Sequence, residues 1–383
     1  MITRGKRILA PAVLALVAVL ATACGSSDSG AAADPPKASA SSTDLQAAKA
    51  NLAAYSSPPQ VLPDREALPS KPPKKKVGFV VCADPSCVKL AGFLKTTTTA
   101  LGWELQTVNA SATDPGAAVQ QLIDAGVDYI GYTGTPLELF KQQAAQAKAK
   151  GIPLFACYST DVPAGKDNNL YGDCYDATAA AVYAKTMADF IAVDSEGSAN
   201  VLMVNLPAFP ILEAQSGPAK NELAKVCPAC RFERLDVTVA DLGGGQVPQK
   251  IASFLQSDPK IDYVYLTFDT LSTGVAAALK AAGLADKVKI VGVQGTQAQF
   301  TSIADGTPGA WIALPQELAM WNMTDEMARL ATDSWTLEGE RKAAVPPFYV
   351  VSTSEEAAKI KDLKDGWQGP AGYQDGFKKD WGV

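Results

Sequence analysis

The chain has 383 residues, 47% of them hydrophobic and 19% charged, with a formal net charge of −6 and no histidine. That length is enough for two domains of ordinary size, and the acidic balance gives no electrostatic footprint for nucleic acid. Without an imidazole the chain cannot build Ser-His-Asp or Cys-His nucleophiles, His-ligated metals or an H-E-x-x-H protease.

The start of the chain reads as an export signal. Arg4, Lys6 and Arg7 precede an apolar run from Ile8 to Ala21, which leads into Ala21-Thr22-Ala23-Cys24-Gly25. A basic start, a short apolar stretch and small residues at the cut form the layout of a secretory signal over 1–23. The apolar run is shorter than the roughly 20 residues a membrane-spanning helix needs. Cys24, directly after the cut, resembles the lipidated cysteine of a bacterial lipobox. Losing three basic residues and no acidic one takes the charge from −6 to −9, so membrane attachment rests on acyl chains, each buried CH₂ contributing about 0.8 kcal/mol.

Residues 24–74 are rich in Ala, Ser, Pro and Gly and read as a disordered tether. Within it Thr43 to Tyr55 can form a short helix, and Pro58 to Pro73 reads as extended and stiff. The pattern changes after Lys74-Lys75-Lys76. Val77–Val81 is an apolar run of strand length, followed by a helix over 87–101 and a strand over 104–108. Helix 115–125, strand 129–132, helix 137–150 and strand 153–157 come next. The same grammar restarts near 177: helix 177–192, strand 200–204, helix 211–226, strand 232–237, helix 246–256, strand 263–268, helix 271–282 and strand 288–293. Strands alternating with helices, and apolar continuously rather than at every second position, predict parallel sheets covered on both faces. The halves echo each other, because Asp128-Tyr129 and Asp262-Tyr263 each open a strand after a helix and a turn. The fold class is α/β, with two similar doubly wound lobes.

Six cysteines remain beyond Cys24: Cys82, Cys87, Cys157, Cys174, Cys227 and Cys230. An even number in an exported body reads as disulfides, with connectivity open from sequence alone. Proximity favours Cys82–Cys87 and Cys227–Cys230, leaving Cys157–Cys174. Cys227-Pro-Ala-Cys230 also has redox-site spacing, but no thioredoxin-like pattern surrounds it, which favours a loop staple. Zinc is disfavoured without histidine, and no metal or cofactor is expected. Gly243-Gly244-Gly245 lacks the Lys-Ser/Thr of a P-loop and reads as a flexible loop.

In order and spacing these features resemble a type I periplasmic solute-binding protein of the ribose-binding, LacI-like class, in lipoprotein form. The resemblance rests on Asp84-Pro85 after the first strand, Gly126-Val127-Asp128-Tyr129-Ile130, Gly151-Ile152-Pro153-Leu154-Phe155, Phe268 to Val275, and Gly292-Val293-Gln294-Gly295. It implies a three-strand hinge with crossings near 173–176, 314–316 and 341–346. The first lobe then takes 75–175 and 316–343, the second 176–315 and 344–354, and 355–383 form an extension whose aromatics pack back on a lobe. It also implies an extracytoplasmic monomer, tethered to the cell membrane through Cys24, that captures a small molecule and delivers it to the transmembrane subunits of an ABC permease.

Ligands of doubly wound sheets bind outside the carboxyl ends of the strands. Those ends offer Asp84, Ser86, Thr133, Tyr158, Ser159, Phe209, Phe268, Asp269, Gln294 and Gln316 as ligand-binding candidates. The family's sugar binders place charged Asp and Arg residues where this chain has Tyr158-Ser159, Ser216 and Gln294. The resemblance therefore leaves two ligands open: a neutral ring compound stacked on Tyr158 or Phe209, or a polyol held by Asp84, Asp269 and Gln294. An enzyme reading, a hydrolase using Asp84 and Asp269, needs both carboxylates within about 10 Å. A ligand-sensing receptor without transport would use the same body.

Overall fold

Short runs of β-branched and aromatic residues, each followed by a helix, build two parallel sheets. The computed structural model describes residues 42–62, 65–82, 84–111, 113–159, 163–343 and 345–383. The signal segment 1–23, Cys24 and the tether as far as residue 41 lie outside the described residues.

The first sheet holds β1 (Lys76–Val81), β2 (Glu104–Asn109), β3 (Tyr129–Thr133), β4 (Leu154–Cys157) and β5 (Leu170–Cys174), in the order β2-β1-β3-β4-β5. The second holds β6 (Asn200–Asn205), β7 (Arg231–Asp236), β8 (Tyr263–Leu266), β9 (Lys289–Val293), β10 (Gly309–Ala313) and β11 (Tyr349–Val351), in the order β11-β10-β9-β8-β6-β7. All pairs are parallel except β10 with β11, so both lobes wind identically and the second adds an antiparallel edge. Each order reverses once, between β1 and β3 and between β6 and β8. A switch point of this kind opens a crevice at the carboxyl ends of the strands.

The sequence echo has a structural cause. Asp128 accepts a hydrogen bond from the N–H of Lys76 at 2.7 Å, and Asp262 accepts one from the N–H of Asn200 at 2.7 Å. Each carboxylate satisfies the first N–H of its lobe's first strand and so fixes the register of the third strand beside it.

Apolar side chains fill both faces of each sheet. Val80, Ile130 and Tyr132 face one core of the first lobe, whereas Val77, Phe79 and Val81 face a core that continues into the second lobe through Tyr183, Met187 and Val201. The chain crosses between lobes after β5, after β10, and again after helix Leu337–Ala343. The Tyr175 hydroxyl in the first crossing donates to the Pro315 carbonyl in the second at 3.1 Å, which ties two hinge strands together.

Two expectations change. The tether reading does not hold for residues 42–62 and 65–74. Helix Ser42–Ala53 packs on helices Ala177–Asp194 and Pro210–Val226 with Ala48 fully buried, Tyr55 stacks on Phe348, and Arg65 pairs with Asp325. A run of small residues can approach neighbouring helices closely, so few bulky side chains were needed to dock it. The glycine triplet is a loop only in part, because Thr238 and Asp241 form a capping box that starts the helix Val239–Gly243, so Gly243 is helical while Gly244 caps that helix and Gly245 turns the chain. The three cysteine pairs are those favoured by proximity, with Cα–Cα separations of 5.5, 4.5 and 5.3 Å in chain order.

Candidate ligand-binding site

The carboxyl ends of the two sheets face each other across the hinge and enclose a cavity of about 60 Å³. The first lobe contributes the turn after β1. Asp84 caps helix Pro85–Ala100, and its Oδ1 accepts the Ser86 N–H at 2.8 Å. The Cys82–Cys87 disulfide staples that turn to the helix, and both cysteines line the cavity. Thr133 ends β3 and Gly134 follows it, and Tyr158 follows β4 with its ring stacked on Tyr175 at 4.5 Å. Burial pushes the Tyr158 phenol well above its usual range; the Tyr175 hydroxyl opposes this and Asp269 adds to it. The phenol therefore stays neutral.

The second lobe contributes Phe209, Ile211 and Leu212 after β6, Phe268 after β8 and Gln294 after β9. Gln316 opens the helix Gln316–Ala331 at the hinge. Its side chain is 1% exposed, and neither end of its amide has a hydrogen-bond partner. The lobes meet closely here, since a Cβ on Gly134 would lie 3.8 Å from the Phe209 ring.

Eight of the ten candidates read from the sequence line this cavity. Ser159 does not. Tyr158 takes a left-handed conformation with φ 55°, so the chain swings away directly after β4 and leaves Ser159 buried elsewhere. Asp269 does not line it either, sitting one residue past Phe268 in the 3-10 turn Asp269–Ser272. Burial raises its carboxyl to about 6; Lys89 and the Thr270 N–H lower it, and Asp84 adds to the rise. Leu90, Ile211 and Leu212 supply apolar lining that the strand-end argument did not reach, because apolar side chains in the first two turns of helices read as core.

Among the described residues, Asp84 is the one charged side chain in the lining, so the cavity suits hydroxyl and amide donors and offers an anion no counter-charge. Two lobes closing over such a lining define a solute-binding protein. The model of the periplasmic binding protein domain matches residues 85–334, and the chain belongs to that family, whose members bind solutes and are not enzymes. That placement makes the protein extracytoplasmic and removes the hydrolase reading. A xylitol-binding protein of Mycolicibacterium smegmatis (strain ATCC 700084 / mc(2)155) is 27% identical over 199 residues, which is 52% of this chain and 54% of that protein. The match thus spans about half the length of that relative. A carbohydrate transporter from Acidothermus cellulolyticus 11B, solved with myo-inositol, superposes with a TM-score of 0.62 at 19% identity, covering 76% of this chain and 99% of the other. A solute-binding protein from Agrobacterium vitis with bound allitol gives 0.62 at 18%, covering 75% and 98%. At these identities the structural likenesses establish the fold.

Proposed function

We propose that this protein is a lipid-anchored solute-binding protein that captures a neutral, hydroxyl-rich compound of the sugar or polyol class and delivers it to an ABC permease. Gln316 carries the reading. A buried amide with both ends unpaired costs about 1–3 kcal/mol, and a ligand hydroxyl, which both donates and accepts, would satisfy it. Asp84 and Gln294 would orient further hydroxyls, while Tyr158, Phe209 and Phe268 would pack on the C–H faces. The ligands named for the relatives and structural neighbours belong to the same class. Between the two ligands left open by the sequence, this favours the polyol.

Closure around the solute needs no covalent chemistry; a ligand shifts the lobes only by its differential affinity for the closed form. A thermal-shift series with xylitol, myo-inositol, allitol and arabinose, set against purines and aromatic acids, tests the reading. A true ligand at about 100 times its Kd adds about 2.7 kcal/mol of stability. Stabilisation by the purines or aromatic acids alone would overturn the polyol assignment. In cells, Cys24→Ala should move the protein from the membrane to the soluble fraction and abolish palmitate labelling; unchanged membrane retention would remove the lipid anchor.

A further inference from the structure

We propose that the binding site continues into an apolar side pocket, and that the solute carries a non-polar substituent beside its hydroxyl-bearing head. The inference rests on the binding reading above and narrows its substrate class. The side pocket has a volume of about 280 Å³ and is walled by Val239, Leu242, Val247 and Pro248. Asp84 and Phe209 line both this pocket and the cavity over Gln294 and Gln316, so the two spaces adjoin. Asp84 comes from the first lobe and the apolar wall from the second, so the pocket opens on the same cleft that admits the solute.

Size and chemistry point the same way. Small-molecule sites run to roughly 300–1,000 Å³, and the first cavity, at about 60 Å³, falls well short of that without its neighbour. Apart from Asp84 at the border, no charged side chain among the described residues lines the pocket. An ionised substituent would find no partner there, whereas an aryl or alkyl group would lose its contact with water. The wall is also held in place. The Thr238 hydroxyl accepts the Asp241 N–H at 3.1 Å, Asp241 accepts the Thr238 N–H at 2.8 Å, and Lys250 reaches Asp241 at 2.7 Å. The Lys250 ammonium, together with the N–H and hydroxyl of Thr238, holds the Asp241 carboxyl down at about 2, so the clasp stays charged at ordinary pH. Val239 is 43% exposed, one of the few large apolar side chains left open to water among the described residues. A ligand group seated against it would cover that surface.

Calorimetric titration of the full protein with xylitol and with 1-O-benzylxylitol tests this. The benzyl ether should bind about ten-fold tighter or better, as burial of a ring's apolar area requires. Val239→Asp and Leu242→Asp should erase that advantage and leave xylitol binding unchanged. Val239 is on the surface, so its variant should fold even if the Leu242 variant does not. Equal affinity for the two compounds, or an advantage that survives in the Val239 variant, would overturn the side pocket and leave the polyol reading standing. If neither compound binds, the polyol reading fails and the extension falls with it.

Discussion

Two residues other than glycine that wall the cavity hold their backbone in the left-handed region, Tyr158 at φ 55° and Gln294 at φ 68°. Side chains other than glycine rarely accept that conformation, and such strain collects at binding sites. Gln316 adds a second local cost, its buried and unpaired amide. These features predict a trade between stability and binding. Gln316→Leu keeps most of the volume and removes the unpaired polar atoms, so the ligand-free protein should melt at the same temperature or a few degrees higher. The same change should abolish stabilisation by the polyol. A lower melting temperature with the ligand response intact would assign Gln316 to packing. The amide and aromatic members of the cavity lining were legible because they stand at strand ends. Leu90, Ile211 and Leu212 were not, because a leucine or isoleucine facing a ligand and one facing a core look alike in sequence.

At the scale of elements, the tail is the clearest test of what holds the body together. Trp381 is fully buried, stacks on Trp321 at 5.2 Å, and donates its indole N–H to Asp325 at 2.8 Å. The Asp325 carboxylate is also buried and pairs with Arg65 and Arg329, and the Arg65 guanidinium lies 4.2 Å from the Phe377 ring centre. The tail, the segment after the first helix and the helix Gln316–Ala331 thus share one polar knot. Trp381→Ala should destabilise the protein by about 3–5 kcal/mol, read from urea unfolding. A loss below about 1 kcal/mol would mean that the tail is an ornament. The alternation of strands and helices was legible because buried parallel strands are apolar at consecutive positions. The docking of residues 42–62 and 65–74 was not, because Ala48 and its small neighbours gain burial only from a groove that another part of the chain supplies. β10 (Gly309–Ala313) also escaped notice, a short run entered through Thr307-Pro308-Gly309.

At the scale of the molecule, five segments connect the lobes among the described residues. Three are hinge crossings. The fourth runs from the first helix, on the second lobe, to Arg65 on the first; the fifth runs from Trp367 against Tyr349 to Trp381 against Trp321. Motion between lobes should therefore be a small closing movement, and one charged group reports on it. Asp269 belongs to the second lobe, and the charged groups facing it, Asp84 and Lys89, belong to the first. Burial raises its carboxyl to about 6, and opening the cleft would return it to water and towards the ordinary value of 3.8. The closed form therefore holds a proton that the open form releases. That contribution to closure is complete below the open-form value and is lost as pH rises through about 6. A neutral polyol has no titration of its own in this range, so its Kd should fall between about pH 7.5 and about pH 5, with one proton setting a ceiling of about ten-fold per unit. Asp269→Asn should bind with a flat profile over the same range. Titration calorimetry of both proteins decides the matter: a slope that persists in the asparagine variant, or a wild-type affinity that weakens on acidification, would detach Asp269 from lobe closure.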